Sequence, residues 1–176
     1  TLLGGFDLRA ASGDPVPLSG RKTLALLAFL ALQPDQRAAR SRLITLLWGD
    51  VPDSQARTSL RQALAAMRRN LEGLLESEGD AVALSPGVLA TDVAAFEDAL
   101  AEGSAESLEH AAALYQGELL GGVAVPGADF ADWLAVERER LRAEAVGALV
   151  RLLDQASAAG DAEAGVRTAL RLVALD

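Results

Sequence analysis

Residues 54–71 have the spacing of an amphipathic helix that carries arginines along one edge. At about 100° per residue, four apolar residues fall within about 60° of each other and predict a buried stripe: Leu60, Leu64, Met67 and Leu71. A second stripe, about 80° around the helix, consists of Arg57, Arg61 and Arg68. The remaining face is filled by Thr58, Ser59, Gln62 and Arg69, with the small Ala65 and Ala66 between them. Guanidinium groups donate to phosphates and to the acceptor edge of guanine, and small residues let a helix approach a surface closely, so these residues indicate nucleic-acid binding.

The distribution of charge supports this interpretation, although the net charge of the chain is −9. Residues 21–69 hold nine basic and three acidic residues, a net of +6, whereas residues 93–176 hold six arginines and fifteen acidic residues. A segregated positive region is what a phosphate-binding face requires. The alternative is that the arginines only face solvent or cover the core with their aliphatic stems, as arginines on an amphipathic helix usually do.

The sequence before this helix predicts the elements that would position it. Residues 1–20 indicate two short strands around a turn at residues 12–15. Helical spacing follows over residues 21–33, ended by Pro34-Asp35, and a second helix is predicted for residues 41–48, closed by Gly49. Pro52-Asp53-Ser54 then supplies an N-cap for the arginine-bearing helix.

A hairpin is predicted after the third helix. Val82 and Leu84 on one side, and Val88 and Ala90 on the other, flank the turn sequence Ser85-Pro86-Gly87. Strands, three helices and a hairpin in this order build a winged helix-turn-helix. We therefore expect a winged-helix domain over residues 1–92 that folds without the rest of the chain.

The second half, residues 93–176, is predicted to be entirely helical. Asp92 can cap a helix that runs to Leu100, and Ser104 can cap another that runs to Tyr115. After a loop at residues 117–127, a long helix is expected over residues 130–158 and a last one from Gly160-Asp161 to Asp176. Residues 145–176 have tetratricopeptide-like spacing, with residues 93–115 as a degenerate neighbour. The predicted fold class is mainly α: an α+β winged helix followed by an all-α helical domain.

No enzyme, cofactor or metal site is predicted. The chain has no cysteine and a single histidine, His110, which we expect on a helix surface. Nucleophile-elbow and phosphate-loop motifs are missing from the sequence, and the acidic residues near position 135 alternate with arginines as in an ion-paired helix: Asp129, Asp132, Glu137 and Glu139. Trp48 and Trp133 are expected to be core anchors. The longest apolar run, residues 23–32, is too short to span a membrane, and no export signal is visible, so a cytoplasmic location is expected.

The chain resembles the effector domains of OmpR-like response regulators through a set of dispersed residues: Leu18-Ser19, Leu26-Leu27, Pro34, Arg40, Leu43-Ile44, Leu47-Trp48-Gly49 and Met67-Arg68. Further blocks are similar to the bacterial transcriptional activators of the SARP type: Arg21-Lys22, LLW, ARTSLRQAL, LYQGELLGG and FADWLAVERERL. This resemblance implies that the third helix enters the major groove and the hairpin acts as a wing. It places Thr58, Ser59, Arg61 and Gln62 opposite bases or nearby phosphates. Arg40 and Arg68 match positions that touch the DNA backbone, and the candidate DNA-binding set is completed by Arg42, Arg57 and Arg69.

Three departures from the family pattern bear on affinity. Ala65 and Ala66 stand where arginine is frequent, residue 39 is alanine instead of a capping serine, and Ser85-Pro86-Gly87 carries no basic residue. Each lost phosphate contact weakens binding, and two copies on promoter direct repeats would restore it. The predicted function is DNA-binding transcription activation, with the acidic domain contacting RNA polymerase, a second copy or another protein. The alternative is a signalling or scaffold module that no longer binds DNA, at the front of a larger regulator.

Overall fold

The computed structural model describes residues 1–175, except for the side chain of Glu78. The described chain is mainly α-helical, as predicted, with one small sheet. The helices are α1 (Arg21–Ala31), α2 (Arg40–Trp48), α3 (Asp53–Asn70), α4 (Asp92–Glu102), α5 (Ala105–Leu114), α6 (Ala128–Ala159) and α7 (Ala162–Val173). The strands are β1 (Arg37–Ala39), β2 (Leu75–Glu78) and β3 (Ala81–Leu84). Each predicted helix is confirmed, with ends that move by a few residues; the predicted last residue of α7, Asp176, lies outside the described residues.

The sheet corrects the predicted hairpin. β3 lies between β1 and β2 and is antiparallel to both, so the order is β1-β3-β2. The alternation of Val82 and Leu84 does mark a strand, and both side chains are buried. Its partner is β2 on the N-terminal side, joined by a two-residue turn in which Gly79 has a φ of 57°. Ser85-Pro86-Gly87 follows the sheet as a separate turn, so the predicted pairing with Val88 and Ala90 is wrong.

The N-terminal segment also departs from its predicted pair of strands. Its only ladder contacts in the described chain are single bridges, from Arg9 to Pro15 and from Leu3 to Leu119. The segment closes the expected turn, since the backbone N–H of Val16 donates to the carbonyl of Leu8 at 2.8 Å. Its first residues hydrogen-bond both with each other, between Thr1 and Asp7, and with the 117–122 loop of the second half, so no regular pair of strands forms.

Two helix starts differ from the predicted caps. Pro52 is the N-cap of α3 and provides no side-chain hydrogen bond, while Asp53 lies in the first helical turn. Thr91, not Asp92, caps α4 by accepting a hydrogen bond from the N–H of Ala94 at 3.0 Å. Ser104 caps α5 as predicted, by accepting from Ser107 at 3.1 Å.

In the second half, each helix packs against the one before it in the sequence. α4 packs on α5, α5 on α6, and α6 on α7. Gly103 and Gly160 end α4 and α6 in the left-handed conformation that glycine adopts without steric cost. None of the described helices is long and apolar enough to cross a membrane.

One cluster of buried apolar side chains runs through both halves of the chain. It extends from Leu2 and Phe29 in the first half to Phe130 and Leu141 in the second. At the contact between the halves, the rings of Phe29 and Trp133 meet edge to face with centroids 5.0 Å apart, a favourable aromatic geometry. The expectation that residues 1–92 fold without the second half stays a prediction, and the shared packing argues against it. Of the two expected core anchors, Trp48 is buried and Trp133 is half-buried against the cluster.

Candidate nucleic-acid interface

The arginine-bearing helix has the buried and exposed faces that the sequence predicts. Three residues of the predicted stripe, Leu60, Leu64 and Met67, are at most 2% exposed, and Ala56 and Ala63 are buried beside them. Leu71 follows the helix and is half-buried. The opposite face is solvent-exposed and includes Arg57, Thr58, Arg61, Gln62, Arg68 and Arg69, with Ser59 half-buried. α3 packs on α1 and α2 through its apolar stripe, so its polar face is turned outward.

Short contacts within α3 hold the first two arginines along its exposed edge. Arg57 forms an ion pair with Asp53 one turn earlier, with Nε 2.9 Å from the carboxylate oxygen. Both side chains are about two-thirds exposed, so this pair contributes little to stability. Arg61 donates to the hydroxyl of Thr58 at 3.1 Å, and this hydroxyl donates to the carbonyl of Ser54 at 2.9 Å.

A cleft of about 600 Å³ lies between the start of α2 and the first half of α3. Arg40, Arg57 and Arg61 line it together. Ile44 and Leu60 contribute apolar surface to its wall. The structure therefore brings an α2 residue that was predicted to contact phosphate next to two arginines of α3.

Arg40 and Arg68 meet at a residue that the sequence reasoning missed. Nη2 of Arg68 donates to the hydroxyl of Ser77 on β2 at 2.8 Å, and Nη2 of Arg40 donates to the same hydroxyl at 3.3 Å. Ser77 was missed because the hairpin was predicted at residues 82–90, and residues 75–78 were not predicted as a strand. The dipeptide Gly79-Asp80, a typical two-residue hairpin turn between residues 75–78 and 81–84, is the signal that could have revealed it.

Arg42 lies apart from the other candidate arginines. Its guanidinium carbon is 5.4 Å from the centroid of the Phe29 ring, a cation–π distance. Since Phe29 also contacts Trp133 of α6, Arg42 lies near the contact between the two halves. Arg69 is exposed at the C-terminal end of α3 and forms no ion pair within the described part of the chain.

The hairpin turn carries no basic side chain at its corrected position. The turn consists of Gly79 and Asp80 instead of Ser85-Pro86-Gly87. The carbonyl of Asp80 accepts from the backbone N–H of Arg40 at 2.8 Å and so ties the turn to the start of α2. β1 reinforces this connection because it pairs with β3 and runs directly into α2.

Ion pairs form along α6 and between helices of the acidic second half, and the predicted alternation of charges is confirmed for Glu137 and Glu139, which pair with Arg140 and Arg142. Arg140 of α6 contacts Glu137 at 2.9 Å, Glu97 of α4 at 2.8 Å and Glu144 at 3.0 Å. Burial by itself would lower the pKa of the Arg140 guanidinium, but its hydrogen bonds with Glu137 and Glu97 outweigh burial and raise it.

His110 is exposed on α5. Within residues 1–175, no group of three or more His, Asp and Glu side chains is arranged to hold a metal ion.

The three-helix unit with its small sheet, followed by the successively packed helices α4–α7, defines a winged-helix protein with an appended helical array. Residues 80–176 match the model of the bacterial transcriptional activator domain, which covers more than half of the chain. The chain therefore belongs to this family of transcription regulators. The resemblance to SARP-type activators is confirmed.

Two known proteins are similar to this chain. The regulatory protein AfsR of Streptomyces coelicolor is 35% identical over 127 residues, which is 65% of this chain and 13% of AfsR. The structure of Mycobacterium tuberculosis EmbR in complex with a low-affinity phosphopeptide aligns with 99% of this chain at a TM-score of 0.62 and 21% identity. The chain corresponds to 53% of that EmbR chain, so it spans about half of this neighbour and a much smaller share of AfsR.

Proposed function

We propose that this chain binds double-stranded DNA by placing α3 in the major groove. The observation that carries the proposal is the composition of the exposed face of α3. From Arg57 to Arg69 it holds four arginines and no carboxylate, and its apolar residues are turned into the core. A helix with one basic, protruding face fits the width of the major groove, and the arginines supply the charge that phosphates attract.

The candidate residues divide into two groups by position. Thr58, Ser59, Arg61 and Gln62 lie in the first half of α3 and are proposed to face bases or nearby phosphates. A second group is proposed to contact phosphates: Arg40, Arg57, Arg68 and Arg69. Arg42 is a less favourable candidate for phosphate binding, because its guanidinium group would have to leave the ring of Phe29 to reach DNA.

The acidic second half is proposed to contact protein. Most of its carboxylates are exposed, and its net charge of −9 repels DNA. RNA polymerase, a second copy of this chain on direct repeats, or another region of the same regulator would each fit such a surface. This function places the protein in the cytoplasm, where promoter DNA is found in bacteria.

The second candidate function is a scaffold module that keeps the winged-helix fold without binding DNA. Asp80 in the hairpin turn favours this alternative, because a carboxylate there repels the backbone of DNA. Ala65 and Ala66 favour it too, since they are half-buried and offer no charge in the middle of α3.

Selection from a library of random DNA duplexes distinguishes the two functions. The purified chain is incubated with the library at low and at moderate salt, beside a variant with Arg57→Ala and Arg61→Ala. Arg167→Ala on α7 is the matched control, since it removes an exposed arginine far from α3. Enrichment of repeated sites that survives moderate salt, and that only the α3 variant loses, supports DNA readout. Enrichment that vanishes with salt favours the scaffold. Enrichment that the α3 variant retains at moderate salt means that a surface other than α3 reads DNA, and it overturns the proposed role of α3.

A further inference from the structure

The guanidinium groups of Arg40 and Arg68 meet at the hydroxyl of Ser77. The two guanidinium groups come from different elements, the start of α2 and the last turn of α3, and both donate to a single hydroxyl on β2. Neither arginine forms an ion pair with a carboxylate among the described residues. Each Nη2 is within hydrogen-bond distance of the same oxygen, so the two nitrogens are at most about two hydrogen-bond lengths apart.

Two positive groups held this close repel each other unless an anion joins them. Two like charges a few ångströms apart at a protein surface raise its free energy. The hydroxyl of Ser77 is uncharged, so it does not neutralise the charge of Arg40 or of Arg68. A phosphate has several acceptor oxygens and a negative charge, and paired guanidinium groups bind such oxyanions with the strongest class of hydrogen bond. The arrangement of Arg40, Arg68 and Ser77 is therefore suited to one phosphate.

We propose that Arg40, Arg68 and Ser77 form a clamp for a single phosphate of the DNA backbone, in which Ser77 is the positioning residue. The proposal rests on the proposed DNA-binding function and assigns a new role to the hairpin. The turn at Gly79-Asp80 has no basic group with which to enter the minor groove. The hairpin instead contributes through Ser77, which positions two arginines from other elements so that both bind the same phosphate.

The backbone contacts of the hairpin support this role. The N–H of Arg40 donates to the carbonyl of Asp80 at 2.8 Å, and β1 joins β3 directly to α2. The hairpin thus fixes the main chain of Arg40 as well as its side chain. Ser77 lies on an exposed stretch of β2, so its hydroxyl can be removed without opening the core.

The test measures the affinity of the full chain for a short mixed-sequence duplex over a range of salt concentrations. The variants are Arg40→Ala, Arg68→Ala, their combination, Ser77→Ala and Ser77→Thr. Ser85→Ala, a serine at the end of the same hairpin without a hydrogen bond to arginine, is the matched control. Thermal unfolding of each variant checks that the fold is unchanged.

A shared phosphate gives a specific pattern of salt dependence. Each single arginine variant is expected to lower the slope of log affinity against log salt by much less than 1, because the remaining arginine still neutralises the phosphate. The combined variant is expected to lower the slope by about 1. Ser77→Ala is expected to weaken binding by about three- to tenfold at unchanged unfolding temperature, and Ser77→Thr to restore it. Ser85→Ala leaves the affinity unchanged.

Two outcomes overturn the clamp while the proposed function stands. A slope that falls by about 2 in the combined variant means that the arginines hold separate phosphates. If Ser77→Ala binds DNA with the same affinity as the chain without substitutions, the hydroxyl of Ser77 does not position the two arginines. If the unchanged chain shows no salt-sensitive DNA binding at all, the proposed function fails and the clamp with it.

Discussion

Asp92 joins the first residues of the chain to the start of α4, because its carboxylate accepts hydrogen bonds from the backbone N–H groups of Leu2 at 2.7 Å and Leu3 at 2.9 Å. The sequence predicted Asp92 as a helix cap. Thr91 takes that role, which leaves the carboxylate available for residues about ninety positions earlier in the chain. Leu2 and Leu3 are both buried, so their N–H groups have little access to water.

Replacing Asp92 with alanine is expected to lower the free energy of unfolding by about 1–3 kcal/mol, because two backbone donors lose their acceptors. Urea unfolding followed by circular dichroism measures the change. Asp98→Ala, an exposed carboxylate on the same helix, is the control and should change stability by less than about 0.5 kcal/mol. Equal effects of the two substitutions would show that the contact contributes nothing.

The fragment 1–92 is expected to lack a cooperative unfolding transition. Separating the fragment from the second half exposes Phe29, which packs on Trp133 in the full chain. The backbone N–H of Gly4 also loses its acceptor, the carbonyl of Glu118 at 3.1 Å. The bond from the N–H of Leu120 to the carbonyl of Leu2, 2.8 Å long, is lost too. Calorimetry of the fragment beside the full chain is the measurement. A sharp transition of the fragment at the temperature of the full chain would contradict the shared core.

Arg61→Ala is expected to weaken DNA binding by about 1–3 kcal/mol if this arginine reads a base, and to relax the sequence preference at one position. The substitution should leave the fold intact, since Arg61 is exposed and its side chain hydrogen-bonds to Thr58, itself exposed. Affinities for a selected site and for a mixed duplex, measured at one salt concentration, give the result. Gln55→Ala, an exposed residue near the start of the same helix, is the control. An equal loss on both duplexes would assign Arg61 to a phosphate.

Tyr115 provides a pH-dependent prediction. Burial raises the pKa of the Tyr115 phenol above its ordinary value of 10.0, because burial disfavours the phenolate; nearby Arg142 opposes this only partly. A group whose pKa is raised by folding stabilises the fold below its unfolded pKa, and that contribution is lost as pH rises through the folded pKa. The free energy of unfolding should therefore fall as the pH rises above about 10.

Tyr115→Phe should remove this alkaline loss of stability. Tyr115 is the only tyrosine of the chain, so the absorbance of tyrosinate reports its titration without interference from another phenol. A titration midpoint at or below the ordinary value, or an alkaline loss that persists in Tyr115→Phe, would place the cause elsewhere.

The helices could be predicted from the sequence because their signals are local. Apolar residues recur with the helical period, and glycine or proline follows several helix ends, as Gly49 and Gly160 do. The exposed face of α3 follows from the same period, since a helix that buries Leu60 and Leu64 must turn Arg57 and Arg61 outward. This part of the candidate site needed no knowledge of the tertiary structure.

The hairpin turn has a local signal in Gly79-Asp80, but the contacts of the sheet could not be predicted in the same way. β2 contains two glutamates and a single apolar residue, Leu75, so its sequence has little strand propensity. It becomes a strand because β3 pairs with it beside α3. The meeting of Arg40, Arg68 and Ser77 depends on that pairing, and the position of Arg42 over Phe29 depends on how α2 packs on α1. These relations join residues that are distant in sequence, and no local pattern encodes them.

The core that runs through both halves also limits which domains can be exchanged between members of this family. A chimaera with residues 1–92 of one member and the helical array of another would have to match at contacts that include the ring of Phe29 against Trp133, Leu3 against Leu119, the N–H of Leu120 against the carbonyl of Leu2, and the N–H of Gly4 against the carbonyl of Glu118. A mismatch at any of these would leave an aromatic surface exposed or a backbone group unsatisfied. We therefore expect the specificity of such regulators to be altered by changing the exposed residues of α3 within an intact chain, and not by transplanting the whole winged helix.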